Sequence, residues 1–199
     1  MAKLVNWHSF NKEIKGKKLL VFSALDVCRL FGSSKIAASF LLYRYTKKGF
    51  IVRLKRGIYA FPDALPTEFF IANKMCEPSY ISLELALSYH RVIPENVYEI
   101  TSITSKNPRR FKILGKIYSY RRVKKTAFAG YGIVKQKGMG FFIASPEKAF
   151  VDTNYFRMLD RLKPLSRFNK ERINPNKAIQ YASLFQNREL IGIIKRTLK

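Results

Sequence analysis

The most telling shortage in this 199-residue chain is of acidic side chains. Only 13 Asp and Glu stand against 38 Lys and Arg, which leaves a formal charge of +25. Because such a charge attracts polyanions, the candidate partners are anionic membrane surfaces, RNA and DNA. The sequence also lacks an apolar run near the ~18 residues that a membrane-spanning helix needs, and its first residues show no signal-peptide pattern. We therefore expect a cytoplasmic nucleic-acid-binding protein with no membrane partner.

Side chains that carry catalysis are scarce as well. His8 and His90 have no nucleophile beside them in sequence, and no two acids have the close spacing that a two-metal nuclease or a nucleotidyltransferase needs. Cys28 and Cys76 form no CxxC or Cys/His cluster of the kind that binds zinc, and each lies in an apolar helical pattern typical of a buried thiol. The sequence predicts no catalytic residue, no metal site and no cofactor. A nuclease with an unrecognised site is the enzymatic alternative.

What is present points first to residues 1–62. The sequence predicts a helix from Leu4 to about Ile14, a short strand over 19–22, and a helix over 24–31 that starts with a capping box at Ser23 and Asp26. A further helix over about 35–48 and two strands over 50–54 and 58–61, joined by a basic turn, complete the set. This order of elements is typical of a winged helix-turn-helix domain.

The second helix of such a turn enters the major groove of DNA, and the hairpin contacts the backbone. No acid occurs from Arg29 to Pro62, whereas a merely soluble surface carries both signs of charge. If Ala38, Leu41, Leu42 and Tyr45 face the core, cations and hydroxyls lie on the outward face of the helix. The predicted DNA contacts are Ser34, Lys35, Ser39, Tyr43, Arg44 and Lys47 on the helix, with Arg53, Lys55 and Arg56 on the hairpin.

Residues 63–199 predict a mixed α/β domain, so the fold class is α+β. Helices are predicted over 67–76, 79–89, 146–159, 174–184 and 188–198, and strands over 97–102, 111–114, 116–123 and 141–143. The glycines of GYG (130–132) and GMG (138–140) lack the Gly-Lys-Ser/Thr ending of a phosphate-binding loop, and they predict turns.

A second basic tract occupies residues 106–125, again without an acid. Its cations predict phosphate contacts, because a cluster of one sign repels itself and favours an anionic partner. Tyr118 and Tyr120 are interleaved with the cations. They could stack on unpaired bases or pack into a core, and packing is the more common role of such tyrosines. RNA binding through this tract, with the winged helix as a scaffold, is the alternative to DNA binding.

Several strings, in this order, resemble the AbiEi family of antitoxins and transcriptional regulators: GFIVRLKRGIYAF, PSYISLELALSYHRVIPENVYEITSITSKNPRRFKI, GKIYSYRRV, FAGYG and FFIASPEKAFVDTNYF. The resemblance covers roughly residues 23–156 and nothing after about 163. It implies an N-terminal winged helix that contacts DNA through the helix and hairpin residues named above other than Ser34, and a larger C-terminal domain with a basic surface. The cations that match this surface are Arg109, Arg110, Arg121 and Arg122.

The resemblance also implies a biological role. Members of that family repress their own operon by binding inverted repeats in the promoter. They counteract a nucleotidyltransferase toxin in bacterial abortive infection without forming a stable complex with it. For this chain it implies a non-enzymatic repressor in the bacterial cytoplasm, associated with the nucleoid when bound to double-stranded DNA.

Overall fold

The computed structural model describes residues 5–199, so Leu4, the first residue of the first predicted helix, lies outside the described residues. The chain divides into two compact units, Met1–Thr67 and Glu68–Lys199, whereas the sequence suggested a division after residue 62. Residues 62–66 belong to the first unit, and Pro62–Ala64 form a short 3-10 helix. The fold is mixed α and β, as predicted.

The first unit begins with three helices. They are α1 (Trp7–Gly16), α2 (Ala24–Phe31) and α3 (Lys35–Lys47). The predicted capping box is present: the Ser23 hydroxyl accepts a hydrogen bond from the Asp26 backbone N–H, and the Asp26 carboxylate accepts one from the Ser23 backbone N–H. Gly32 ends α2 in the left-handed conformation (φ 62°), which costs a residue without a Cβ little. The prediction of α2 is confirmed.

A two-stranded antiparallel hairpin follows, made of β1 (Val52–Lys55) and β2 (Ile58–Ala60). Gly57 supplies the positive φ of its turn (80°). The strand predicted over 19–22 is wrong. Only Phe22 forms a bridge, exchanging backbone hydrogen bonds of 2.9 and 2.8 Å with Tyr59, because the chain enters the N-cap of α2 at the next residue.

Aromatic rings fill the core of the first unit. The Phe10 ring is fully buried and meets the rings of Tyr45 and Phe22 edge-on, with centroids 5.0 and 5.7 Å apart. Phe61, directly after the hairpin, packs on Phe22 at 5.2 Å. Since edge-to-face packing constrains ring orientation as well as position, this core holds the face of α3 that contains Tyr45 against α1 and the hairpin.

The second unit is a six-stranded mixed sheet with helices. Its helices are α4 (Glu68–Met75), α5 (Leu83–Tyr89), α6 (Pro146–Leu159), α7 (Pro175–Ser183) and α8 (Arg188–Leu198). Its strands are β3 (Ser79–Ile81), β4 (Ile100–Thr104), β5 (Arg109–Ile113), β6 (Lys116–Arg122), β7 (Tyr131–Gln136) and β8 (Met139–Ala144). The order across the sheet is β5-β6-β4-β3-β8-β7, and the β4–β6 and β3–β8 pairs are parallel.

Two predictions for the second unit are wrong. The helix predicted over 79–89 begins only at Leu83, because the first three residues form strand β3 between β4 and β8. Gly132 and Gly140 lie inside β7 and β8, whereas Gly130 and Gly138 have positive φ at the strand ends. Strand β7 was not predicted, because glycines lie on both sides of it and glycine weakens every strand pattern.

A buried ion pair lies at the centre of the second unit. Lys148 and Asp152, one turn apart on α6, form a salt bridge with both side chains fully buried. The Asp152 carboxylate also accepts hydrogen bonds from the hydroxyls of Ser82 (2.8 Å) and Tyr80 (3.1 Å). Burial raises the pKa of Asp152 and lowers the pKa of Lys148, and each charge opposes the effect of burial on the other. The cluster thus joins α6 to β3 and the start of α5.

We expect Lys148→Met to destabilise the second unit by about 3–5 kcal/mol, because it leaves the Asp152 carboxylate buried without a cation. Lys148→Met combined with Asp152→Asn should recover at least half of the loss, since the amide oxygen still accepts from Tyr80 and Ser82. Urea unfolding of the full chain measures both values. Equal stability of the single and double variants would contradict the account.

Candidate nucleic-acid interface

One face of α3 is buried and the opposite face is exposed. Ala38, Leu41, Leu42 and Tyr45 are each at most 6% exposed, which confirms the predicted core face. At about 100° per residue, the direction opposite to them is occupied by Ile36, Phe40, Tyr43 and Lys47. The side chains of Ile36, Phe40 and Tyr43 are 72%, 66% and 58% exposed. The outward face of α3 is therefore largely apolar.

The two hydroxyls predicted to contact DNA are held by the helix itself. The Ser34 hydroxyl oxygen accepts a hydrogen bond from the Ala37 backbone N–H (3.2 Å) and so caps α3. The Ser39 hydroxyl donates to the Lys35 carbonyl (2.7 Å). Each oxygen keeps a lone pair, but the Ser39 proton is committed. The hydroxyls are therefore weaker candidates for base contacts than the sequence suggested.

The predicted cations of the first unit lie on α3 and the hairpin. Lys35, Arg44 and Lys47 are exposed on α3, and the Lys47 ammonium lies 5.7 Å from the centre of the Tyr43 ring. Arg53 on β1 and Arg56 in the turn are exposed, and Lys55 is half-buried. Two of the first unit's acids are engaged elsewhere: Asp26 caps α2, and Asp63 pairs with Lys15 at 2.7 Å, which lowers the Asp63 pKa. The α3–hairpin surface is consequently cationic.

Residues Ile36, Ala37 and Phe40 were missed as candidate contacts. The stripe predicted from the sequence contains Lys35, Ser39, Tyr43 and Lys47, and its mean direction lies about 50° from the direction opposite the buried face. The four core positions alone determine the direction opposite the core, so the outward position of Ile36 and Phe40 could have been predicted from the sequence.

The second basic tract is partly neutralised within its own unit. Arg121 donates two hydrogen bonds to the Asp160 carboxylate (2.7 and 2.9 Å), and its guanidinium lies 4.1 Å from the centre of the Phe156 ring. These bonds lower the pKa of Asp160. Arg110 pairs with Glu99 at 3.3 Å, and Lys116 pairs with Glu68. Of the four arginines predicted to contact DNA here, Arg109 and Arg122 are exposed without such a pairing among residues 5–199.

Tyr118 and Tyr120 belong to the core. Both side chains are 2% exposed, and the Tyr120 hydroxyl donates to the Ala72 carbonyl at 2.7 Å. Burial raises the pKa of Tyr118 to about 12 and raises the pKa of Tyr120 further. Stacking of these rings on unpaired bases is therefore excluded in this fold, and the packing alternative is confirmed.

The remaining candidates for chemistry are dispersed. The His90 ring nitrogen Nε2 lies 2.8 Å from the Ala144 carbonyl oxygen, a contact within the second unit. Cys76 is buried, Cys28 is half-buried, and neither is in a disulfide. Within residues 5–199, no group of three His, Cys, Asp or Glu side chains is placed to hold a metal ion. In the same part of the chain, no helix is both long and apolar enough to cross a membrane.

No model of a protein family matches the chain, and no curated protein sequence matches it.

The second unit should unfold at alkaline pH through its buried tyrosines. The folded state favours the neutral phenol, so this stabilisation is complete below pH 10 and is lost as pH rises toward 12, the value to which burial raises the pKa of Tyr118. Tyr118→Phe should raise the midpoint of alkaline unfolding, measured by circular dichroism. The matched control is Tyr98→Phe, since Tyr98 is 85% exposed. An unchanged midpoint in Tyr118→Phe would contradict this role of burial.

Proposed function

We propose that the first unit is a winged helix-turn-helix domain that binds double-stranded DNA, with α3 as the recognition helix and β1–β2 as the wing. The observation that carries this proposal is the outward face of α3, whose side chains are exposed, flanked by cations and free of acids. A helix packed by one face and open on the other is what groove insertion needs. In this proposal the chain acts by binding and has no catalytic role.

The dimensions of α3 suit the major groove. An α-helix with its side chains is about 10–12 Å across, and the groove of B-DNA is about 12 Å wide. The 13 residues of α3 span about 20 Å, long enough to cross the groove floor. With α3 in place, Arg53 and Arg56 on the hairpin are the residues that supply phosphate contacts, which give affinity and orientation rather than sequence preference.

We further propose that the chain is the repressor and antitoxin of a bacterial operon. This part rests on the resemblance of its sequence strings to the AbiEi family. It would bind inverted repeats in its own promoter, which requires two copies per operator because each half-site takes one recognition helix. Its functional partner would be a nucleotidyltransferase toxin, with no stable complex between them, and both would act in the cytoplasm.

The second unit would add phosphate contacts, chiefly through Arg109 and Arg122. The alternative of RNA binding depended on the tract 106–125, and the structure leaves it little support. Tyr118 and Tyr120 are buried, and Arg110 and Arg121 are paired with acids. Duplex DNA is therefore the favoured partner.

A gel shift with a labelled promoter fragment and random-sequence competitor tests this function. We expect the wild-type chain to prefer the promoter, and Arg53→Ala with Arg56→Ala to weaken binding to both DNAs. Because each phosphate contact releases counterions, the double variant should also reduce the slope of log K against log salt by about 2.

The matched control is Lys12→Ala, which removes an exposed cation from α1, outside the proposed interface. It should leave both affinity and slope close to wild type. Equal binding to promoter and random DNA would refute sequence-specific repression. A preference for structured RNA over duplex DNA at equal salt would support the alternative.

A further inference from the structure

The outward face of α3 carries apolar side chains where a DNA-binding helix usually carries polar ones. Ile36, Phe40 and Tyr43 follow one another at intervals of four and three residues, so they form one continuous stripe, with Ala37 exposed beside it. Single exposed apolar side chains are ordinary on protein surfaces. A contiguous stripe opposite the core, however, indicates a surface that is covered in the working state of the protein.

The charges around the stripe limit what can cover it. Lys47 continues it toward the end of α3, Arg44 lies beside it, and Lys35 is at the first position of the helix. The sequence from Arg29 to Pro62 holds no acid. A second copy of the chain docked through the same face would bring these cations together, which is unfavourable. A membrane would need a larger apolar surface than one helix stripe supplies. A duplex groove offers phosphates to the cations at its edges and base edges to the stripe at its floor.

The chemistry of the stripe selects among the bases. In the major groove, Arg or Lys donates to guanine, Asn or Gln makes paired hydrogen bonds with adenine, and Asp or Glu accepts a hydrogen bond from the cytosine amino group. In the N-terminal half of α3, residues 35–40, the sequence KIAASF supplies Lys35 alone from that set. The Ser39 proton is committed to the Lys35 carbonyl. Thymine is the base that presents a methyl group in this groove, and Ala and Phe are among the side chains that contact it.

We infer that α3 recognises thymine through its 5-methyl groups, with Ile36, Ala37 and Phe40 as the specificity-determining side chains. This inference rests on the proposed DNA-binding function and specifies which base that function selects. It predicts operator half-sites with thymines at the positions beneath the N-terminal half of α3, and cations that hold the helix in register without selecting bases.

The test uses a duplex that the full-length chain selects from a random pool, prepared once with thymine and once with uracil in its place. Uracil lacks only the methyl group, so base pairing and phosphates are unchanged. The affinity of the wild-type chain should fall roughly fourfold for each buried methyl that is lost. If two methyls are buried, the expected loss is about 15-fold.

Two variants show whether the lost methyls lie against the stripe. Phe40→Ala should bind the thymine duplex more weakly than wild type and should distinguish the two duplexes much less, because it has already lost the contact. Arg56→Ala should bind both duplexes more weakly while keeping the wild-type ratio between them. Phe40 is exposed, so an unchanged melting temperature is expected and serves as the check on folding.

The outcomes separate the inference from the function on which it rests. Equal affinity for the thymine and uracil duplexes would overturn methyl recognition and leave DNA binding intact. An undiminished ratio in Phe40→Ala would also overturn it, because the uracil effect would then act through DNA shape. Selection that enriches no duplex would overturn both claims. A concentration-dependent dimer abolished by Phe40→Ala would then assign the stripe to a second copy of the chain.

Discussion

The surplus of positive charge is the constraint on which the rest of this structure depends. With 13 acids against 38 Lys and Arg, the chain cannot neutralise itself, and compaction brings like charges together. Several acids are committed locally. Asp26 caps a helix, and Asp63 and Asp160 each pair with one cation. Asp152 forms an ion pair with the buried Lys148. What remains on the surface is cationic, and the DNA that we propose as partner would relieve the repulsion between these charges.

The two units meet this constraint in different ways. The second unit places part of its charge in ion pairs and holds its centre with a buried Lys–Asp pair that two hydroxyls complete. The first unit instead exposes Lys35, Arg44 and Lys47 on α3 and Arg53 and Arg56 on the hairpin. It packs its interior with aromatic rings around Phe10. An interior of this kind keeps one face of α3 against the core and its opposite face in solvent. The charge distribution and the packing thus favour the same surface for a polyanionic partner.

Local signals in the sequence predicted much of the fold. The capping box at Ser23 and the glycine after Phe31 define α2, and Ser145 with Pro146 defines the start of α6. Strands β3 and β7 could not be predicted in this way. The three residues of β3 are too few to show a period, and the glycines in and around β7 weaken its strand pattern. The Lys148–Asp152 pair was also missed. Its i, i+4 spacing is common on exposed helices, and burial is a tertiary property.

The candidate site was only partly predictable for a similar reason. The cations of α3 and the hairpin can be read from the sequence, and the core face of α3 follows from its apolar period. The hydrogen bonds of a hydroxyl cannot be predicted in this way: Ser34 and Ser39 bond to the helix backbone, and that geometry is known only from the folded helix. Arg121 is likewise less available to DNA than the sequence suggested, because it donates hydrogen bonds to Asp160, a residue 39 positions away in sequence.

Hydrogen–deuterium exchange of the full chain, with and without its selected duplex, locates the DNA-contacting surface without assuming an interface. We expect slower exchange on binding in α3 and in the β1–β2 hairpin, with α1 little changed. Protection confined to residues 106–125, with α3 and the hairpin unaffected by DNA, would contradict this expectation.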